Sequence, residues 1–177
     1  MTMYAIASVT VGAGGGTPQF TNIPQTFDHL QIRVYGRGLL AGNAQSNLYT
    51  NWYQSGSTPS TYSSHRIQAD GTSTVSAGNT GLAYIFAGSA FPAATAAANI
   101  FGGAIIDILD YTNTTKFKTL RILGGNDRNG SGTVVIASGL IQTLNAINFG
   151  YVDTESTFAQ GTRVDLYGIT DSPATGA

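Results

Sequence analysis

Apolar and polar residues alternate along much of the chain. In the segment 27–35, Leu30, Ile32 and Val34 fall on one side of an extended backbone, and polar or aromatic residues occupy the other side. Successive side chains of a β-strand point to opposite faces, so this period of two predicts a strand that turns one face toward a core. The same period recurs at residues 5–11, 47–53, 104–110, 117–123, 133–140, 146–152 and 162–169.

The breaks between these segments predict turns and loops rather than helices. Residues 124–130 are predicted to form a hairpin loop, because the Asn129-Gly130 pair favours the positive φ that tight hairpins need. We expect loops at 55–64 and 91–99 and an irregular segment at 72–81. The segment 65–69 is predicted to be a short strand, and 82–86 a strand or a short helix.

These elements predict one all-β domain over residues 1–177, with a short polar tail at 171–177. About eight strands and no long helix favour an antiparallel β-sandwich, and a jelly-roll-like connectivity is the expected arrangement. The composition agrees, since the chain has a single glutamate, Glu155, and two lysines, which leaves few strong helix formers.

The low charge indicates a protein that associates with others. Charged residues make up 10% of the chain, against about 25% in average proteins, and the formal net charge is −1. Such a surface has little electrostatic repulsion to keep subunits apart. Eight basic residues are scattered and balanced by nine acids, so we expect no nucleic-acid partner. No apolar run reaches membrane-spanning length and the first residues do not resemble a signal peptide, so no membrane partner is expected.

The residues that carry enzyme chemistry are sparse. Cysteine is absent, and the two histidines, His29 and His65, show no pattern of a catalytic triad. Asp153 and Glu155 could share a face as an acid/base pair, although polarity at a strand end explains them equally. The loop around Asp127 contains oxygen ligands of a partial calcium motif, but such residues are also ordinary turn formers. We therefore expect no enzyme activity, no cofactor and no metal.

Aromatic and arginine side chains are the candidate contacts. Four aromatic residues in the middle of the chain form either core and interface or a sugar-binding patch: Tyr49, Trp52, Tyr53 and Tyr62. Three arginines are candidate interface anchors, with a solvated surface as the alternative: Arg37, Arg66 and Arg128.

Several segments resemble structural proteins of tailed-bacteriophage virions. They are YAIASVTVG at 4–12, FTNIPQT at 20–26, HLQIR at 29–33, YTNTTKFK at 111–118, GGNDRNGSG at 124–132 and FAQGTRVDLYGI at 158–169. The resemblance covers most of the chain except about 56–98. It implies a β-sandwich module of a phage particle, either a capsid decoration or cement protein or a tail-fibre component, and it transfers no catalytic residue.

Three functions remain open at this point. The first is a capsid decoration protein on the exterior of the virion, which we expect to be a homotrimer that binds the major capsid protein; no shaft or heptad repeat indicates a fibre. The alternative is a tail-fibre or tailspike module that binds host surface glycans. A sugar hydrolase that uses Asp153 or Glu155 is the third.

Overall fold

The computed structural model describes residues 1–57 and 61–171, and all regular structure in these residues is β. Twelve strands follow one another: β1 (Thr2–Thr10), β2 (Gln19–Phe20), β3 (His29–Gly36), β4 (Gln45–Tyr53), β5 (Tyr62–Ala69), β6 (Thr74–Leu82), β7 (Ile85–Pro92), β8 (Gly102–Leu109), β9 (Lys118–Asp127), β10 (Gly132–Ile141), β11 (Phe149–Asp153) and β12 (Arg163–Thr170).

The strands form two antiparallel sheets of unequal size. The large sheet has eight strands in the order β1-β12-β3-β8-β9-β10-β5-β6, and the small sheet has four in the order β2-β11-β4-β7. The inner faces pack together through β7, which contacts β5, β8, β9 and β10 of the large sheet. Side chains from both inner faces therefore fill one core, as in a β-sandwich.

Strict alternation on the central strands explains why the large sheet closes this core. Leu30, Ile32 and Val34 of β3 are buried, and so are Ile106 and Ile108 of β8. The residues between them point away from the small sheet. Each central strand thus contributes every second side chain to the core, which matches the pleat of a β-strand.

The predicted fold class is confirmed, with changes in detail. The domain is an antiparallel β-sandwich, but an eight-plus-four division does not confirm the jelly-roll connectivity, and twelve strands replace the expected eight. The prediction of an irregular segment at 72–81 is wrong, because most of these residues belong to the edge strand β6, which pairs with β5. The predicted tail lies almost wholly outside the described residues, as do residues 58–60 of the predicted loop.

The predicted hairpin is confirmed at its turn. Asn129 and Gly130 have φ of 64° and 93°, the left-handed values that the Asn-Gly pair accommodates. The loop is shorter than expected, because β9 continues to Asp127 and β10 begins at Gly132.

Trp52 anchors the small sheet to the core. Its side chain is fully buried, its ring stacks on Phe20 at 6.4 Å, and its indole N–H donates to Thr50. Gly150 lies directly opposite Trp52 in the ladder between β4 and β11. An added Cβ at Gly150 would lie 1.9 Å from Trp52 Cε3, so only glycine leaves room for the indole ring.

Lys118 is an exception in the core, because a lysine occupies an inward position of β9. The side chain is fully buried, and its ammonium donates to the backbone carbonyls of Asn113, Lys116 and Thr143. Burial lowers its pKa. The ammonium thereby ties the loop before β9 to the loop after β10, and the three carbonyls supply the acceptors that a buried ammonium needs.

The close contact at Gly150 predicts a specific stability defect. We expect Gly150→Ala to lower the free energy of unfolding by about 1–3 kcal/mol, because the methyl group overlaps the Trp52 ring. Gly12→Ala is the matched control, since an added Cβ there meets nothing within 4 Å. Urea unfolding measures both variants, and equal midpoints for the two would contradict this account of the packing.

The buried ammonium gives a second stability prediction. Lys118→Met keeps the side-chain length but removes the donor, so the carbonyls are left unpaired and we expect a loss of about 1–3 kcal/mol. The exposed Lys116 makes only a surface ion pair with Asp110, at 2.9 Å, and is the control. Lys116→Met is expected to change stability by less than about 1 kcal/mol in the same unfolding experiment. A Lys118→Met protein as stable as Lys116→Met would show that the ammonium is dispensable.

Candidate functional site

The register of the large sheet places four aliphatic side chains in one row on its outer face. Ile105 of β8 pairs with Leu123 of β9, Leu123 pairs with Ile136 of β10, and Ile136 pairs with Ile67 of β5. All four are 40–56% exposed. We call Ile67, Ile105, Leu123 and Ile136 the aliphatic row. It crosses four neighbouring strands in the middle of the sheet.

Val134 extends the aliphatic row along β10. It lies two residues before Ile136, on the same face, and is 58% exposed. Its partners in the two adjacent ladders are Gly125 and Ala69, so small residues surround it. The apolar surface is therefore a contiguous patch rather than isolated residues, and contiguous patches on a protein surface mark interaction sites.

A row of polar residues runs beside the aliphatic row. The ladders align Gln31, Asp107, Arg121, Ser138 and His65 across five strands, and we call these five residues the polar row. The Gln31 amide donates to Asp107 Oδ1 at 3.0 Å, and Arg121 Nη2 lies 3.4 Å from Asp107 Oδ2. The Asp107 carboxylate is thus already paired with the Gln31 amide and the Arg121 guanidinium before any partner binds.

The two rows together line a shallow groove of about 1110 Å³. The imidazole of His65 lies against Gly78 of β6, where an added Cβ would be 2.7 Å from the ring, and this contact forms one end of the groove. Each strand that carries the aliphatic and polar rows is paired with a neighbouring strand on both sides. The surface is therefore rigid, and covering its half-exposed aliphatic side chains would contribute about 1 kcal/mol each.

Two of the predicted aromatic contacts belong to the core. Trp52 and Tyr62 are fully buried, and the Tyr62 hydroxyl donates to the Trp52 carbonyl at 3.1 Å. Burial raises the pKa of Tyr62. Of the alternatives left open for these two side chains, the structure supports the core, and their candidacy as partner or glycan contacts is corrected: they join β4 to β5 inside the sandwich.

The other two aromatic candidates lie on the outer face of the small sheet. Tyr49 and Tyr53 are half-buried and point to the same side of β4. Tyr49 packs against Tyr84 at 4.6 Å, and Tyr53 packs against Phe149 at 4.8 Å. They are remote from the groove, because they belong to the opposite face of the sandwich.

Each candidate arginine contacts the chain itself. Arg37 donates to the carbonyls of Ala94, Ala96, Ala97 and Ile100, so it holds the 94–100 loop in place. Arg128 donates to the Ala44 carbonyl at 3.2 Å.

Arg66 stacks over Phe86, with its guanidinium carbon 4.2 Å from the ring centroid. Its side chain lies on the inner face of β5, because Arg66 pairs with the buried Ala137, and it points toward the small sheet. None of the three arginine side chains therefore belongs to the groove on the outer face of the large sheet.

The candidate catalytic and metal-binding groups have local partners. Asp153 accepts from Thr17 and from the Thr154 N–H, and burial raises its pKa. Glu155 accepts from the backbone and side chain of Asn47.

The carboxylate of Asp127 closes its own turn by accepting from the Gly130 N–H, as turn-forming residues do. Within residues 1–57 and 61–171, no three His, Asp or Glu side chains gather as a metal site would require. The expected lack of catalysis stays a prediction.

The aliphatic row was not among the predicted contacts, although it has a signal in the sequence. Ile105-Ile106, Ile122-Leu123 and Val134-Val135-Ile136 are consecutive aliphatic residues, which put apolar side chains on both faces of one strand. The alternation in these segments was interpreted as one buried face only. The outward residues meet only because their strands are neighbours in the sheet. The order of the strands depends on long-range pairing.

Comparison with known proteins finds no match: no family model, no curated protein and no solved structure is significantly similar to the chain. In the described part of the chain, no helix is long and apolar enough to cross a membrane. The geometry of the two outer faces is thus the basis for inferring function.

Neighbouring residues of β9 test the orientation of the aliphatic row. Ile122 is buried and Leu123 is 54% exposed. We expect Ile122→Ala to cost about 2–5 kcal/mol through loss of packing, and Leu123→Ala to cost less than about 1 kcal/mol. Urea unfolding of the isolated protein measures both, and a larger cost at Leu123 would mean that the register is wrong.

Proposed function

We propose that the protein is a non-enzymatic structural protein of a bacteriophage virion, and that it decorates the exterior of the capsid. In this proposal the groove on the large sheet binds the major capsid protein. The observation that carries it is the aliphatic row, a continuous line of exposed Ile and Leu side chains across the centre of an eight-stranded sheet.

The chemistry of the groove favours a protein surface as its occupant. Aliphatic side chains lack hydrogen-bonding groups and gain free energy mainly when another apolar surface excludes water from them. The polar row supplies hydrogen bonds at the side of that contact, which matches the apolar centre and polar rim of protein interfaces. Because the strands are already ordered, binding does not have to order a loop.

Charge complementarity contributes little to the proposed contact between the groove and the capsid protein. Asp107 and Arg121 already neutralise each other within the polar row, and the net charge of the chain is −1. Attachment therefore depends on removing apolar surface from water and is expected to resist high salt. A shell protein that has to stay attached in varying ionic conditions benefits from such a contact.

The phage setting is supported by the resemblance of particular segments. Segment 124–132 spans the β9–β10 hairpin, whose two strands carry Leu123 and Ile136. Segment 158–169 includes most of β12, which pairs with β3 in the same large sheet. These two segments thus belong to the sheet that presents the groove, and Gln31 of the polar row lies in a third one, 29–33.

A homotrimer is part of the proposal. Three copies present three identical grooves, and simultaneous binding to neighbouring capsid subunits multiplies their individual affinities. Weak contacts of one groove would then suffice for stable attachment to a symmetric shell.

Binding to capsids tests this function. Purified protein is added to particles of its phage that lack it, and co-sedimentation measures the bound fraction. We expect the double variant Leu123→Lys, Ile136→Lys to bind about 100-fold more weakly or worse, because two ammonium groups must lose water in the contact. Leu144→Lys, which changes an exposed leucine in the loop after β10, is the control and should bind normally.

Two results would contradict the proposal. Failure of the wild-type protein to bind capsids would exclude decoration, and unchanged binding by the double lysine variant would exclude the groove as the contact. Circular dichroism establishes that the double variant is folded before binding is measured.

A further inference from the structure

The outer face of the small sheet is rich in aromatic side chains, whereas the outer face of the large sheet is aliphatic. On β4, Tyr49, Asn51 and Tyr53 point outward in alternation, and on β11 Phe149 and Tyr151 do the same. Phe149 pairs with Tyr53 and Tyr151 pairs with Asn51, so these side chains form adjacent rows. We call Tyr49, Tyr53, Phe149 and Tyr151 the aromatic platform.

Ring contacts hold the aromatic platform in place. Phe149 lies 4.8 Å from Tyr53 and 6.5 Å from Tyr151, measured between ring centroids. Tyr49 packs between Tyr84 and Phe86, at 4.6 Å and 5.3 Å. The rings are only half-buried, so each keeps part of its surface toward solvent in a fixed orientation.

Asn51 supplies polar groups at the centre of the platform. Its Nδ2 donates to the Ala83 carbonyl at 2.8 Å and to the Tyr151 hydroxyl at 3.0 Å, whereas its Oδ1 is buried and has no hydrogen-bond partner. Since the Tyr151 hydroxyl accepts from Asn51, its own proton is available to a ligand. A donor and an unsatisfied acceptor thus lie side by side among aromatic rings, and a buried acceptor without a partner is costly.

This combination fits a carbohydrate better than a protein surface. Pyranose rings present C–H groups to the electron-rich faces of aromatic rings, while their neighbouring hydroxyls both donate and accept hydrogen bonds. Tyr49 and Tyr53 are four residues apart, about 13 Å along the strand, so the platform has room for more than one sugar ring.

The charges around the platform select neutral sugars. The Asp153 carboxylate lies directly opposite Tyr49 in the ladder, and Glu155 follows two residues later. Arg66 is stacked over Phe86 beyond Tyr49, at the far side of the same row. Two carboxylates and one guanidinium leave a net negative charge beside the rings, which would repel a sialylated or otherwise acidic glycan.

We propose that the aromatic platform binds neutral oligosaccharides. The site lies on the opposite face from the groove, so it is independent of the proposed attachment to capsids. A decorated particle with its large sheet against the shell would leave this face outward, where it can meet the glycans of a cell surface.

Titration with defined sugars tests the platform. The full-length protein is titrated by calorimetry with neutral oligosaccharides of one to six glucose, galactose, mannose or N-acetylglucosamine rings, and with sialyllactose. We expect binding to a neutral series that strengthens with chain length, and none to sialyllactose. Tyr53→Ala should weaken it about tenfold by removing one stacking face, whereas Tyr53→Phe should retain most of it.

Matched variants separate recognition from folding. Tyr151→Phe keeps the ring but removes the hydroxyl, and we expect about threefold or more weakening. Tyr35→Ala removes an exposed tyrosine of the large sheet, which stacks on Phe101 at 4.8 Å, and should not affect sugar binding.

The proposal is overturned if no neutral oligosaccharide binds at millimolar concentration, if sialyllactose binds best, or if Tyr35→Ala weakens binding as much as Tyr53→Ala. The same variants are also tested for capsid binding. This distinguishes a failure of the sugar-binding proposal from a failure of the proposed capsid contact at the groove.

Discussion

The cross-strand register of the large sheet is the constraint on which the rest of the structure depends. Side chains alternate between the two faces of a strand, so a slip of one residue would exchange inner and outer residues along a whole strand. In β9 the register puts Ile122 into the core and Leu123 onto the surface. The same pairing that closes the core therefore aligns Ile105, Leu123 and Ile136 as one outward row.

The two sheets give the molecule two faces of different chemistry. The outer face of the large sheet is aliphatic beside a partly self-neutralised polar row, which suits a flat protein contact. The outer face of the small sheet is aromatic around the amide of Asn51, which suits sugar rings. Neither face needs many charges, which is consistent with a chain in which only 10% of the residues are charged. Both surfaces are built on strands, so their shapes exist before any partner arrives.

The sequence predicted what depends on local pattern, and missed what depends on long-range pairing. The central strands and the Asn129-Gly130 turn follow from alternation and from backbone preferences, and the structure contains them. Strand β6 was missed because Ser, Thr, Asn and Gly dominate it and only Val75 and Ala77 alternate with them; it forms by pairing with β5 at the edge. Trp52 and Tyr62 were candidate contacts because composition cannot tell a buried aromatic ring from an exposed one. The burial of Trp52 depends on Gly150 and Phe20, which lie far away in the sequence.

The position of the protein in an electron-microscopy map of the intact phage particle tests the central claim most directly. The account predicts density for the sandwich on the outside of the capsid, with the outer face of β8, β9, β10 and β5 buried against the major capsid protein and the small sheet turned outward. Density only in the tail, or a capsid-bound sandwich whose aliphatic row faces solvent, would contradict it.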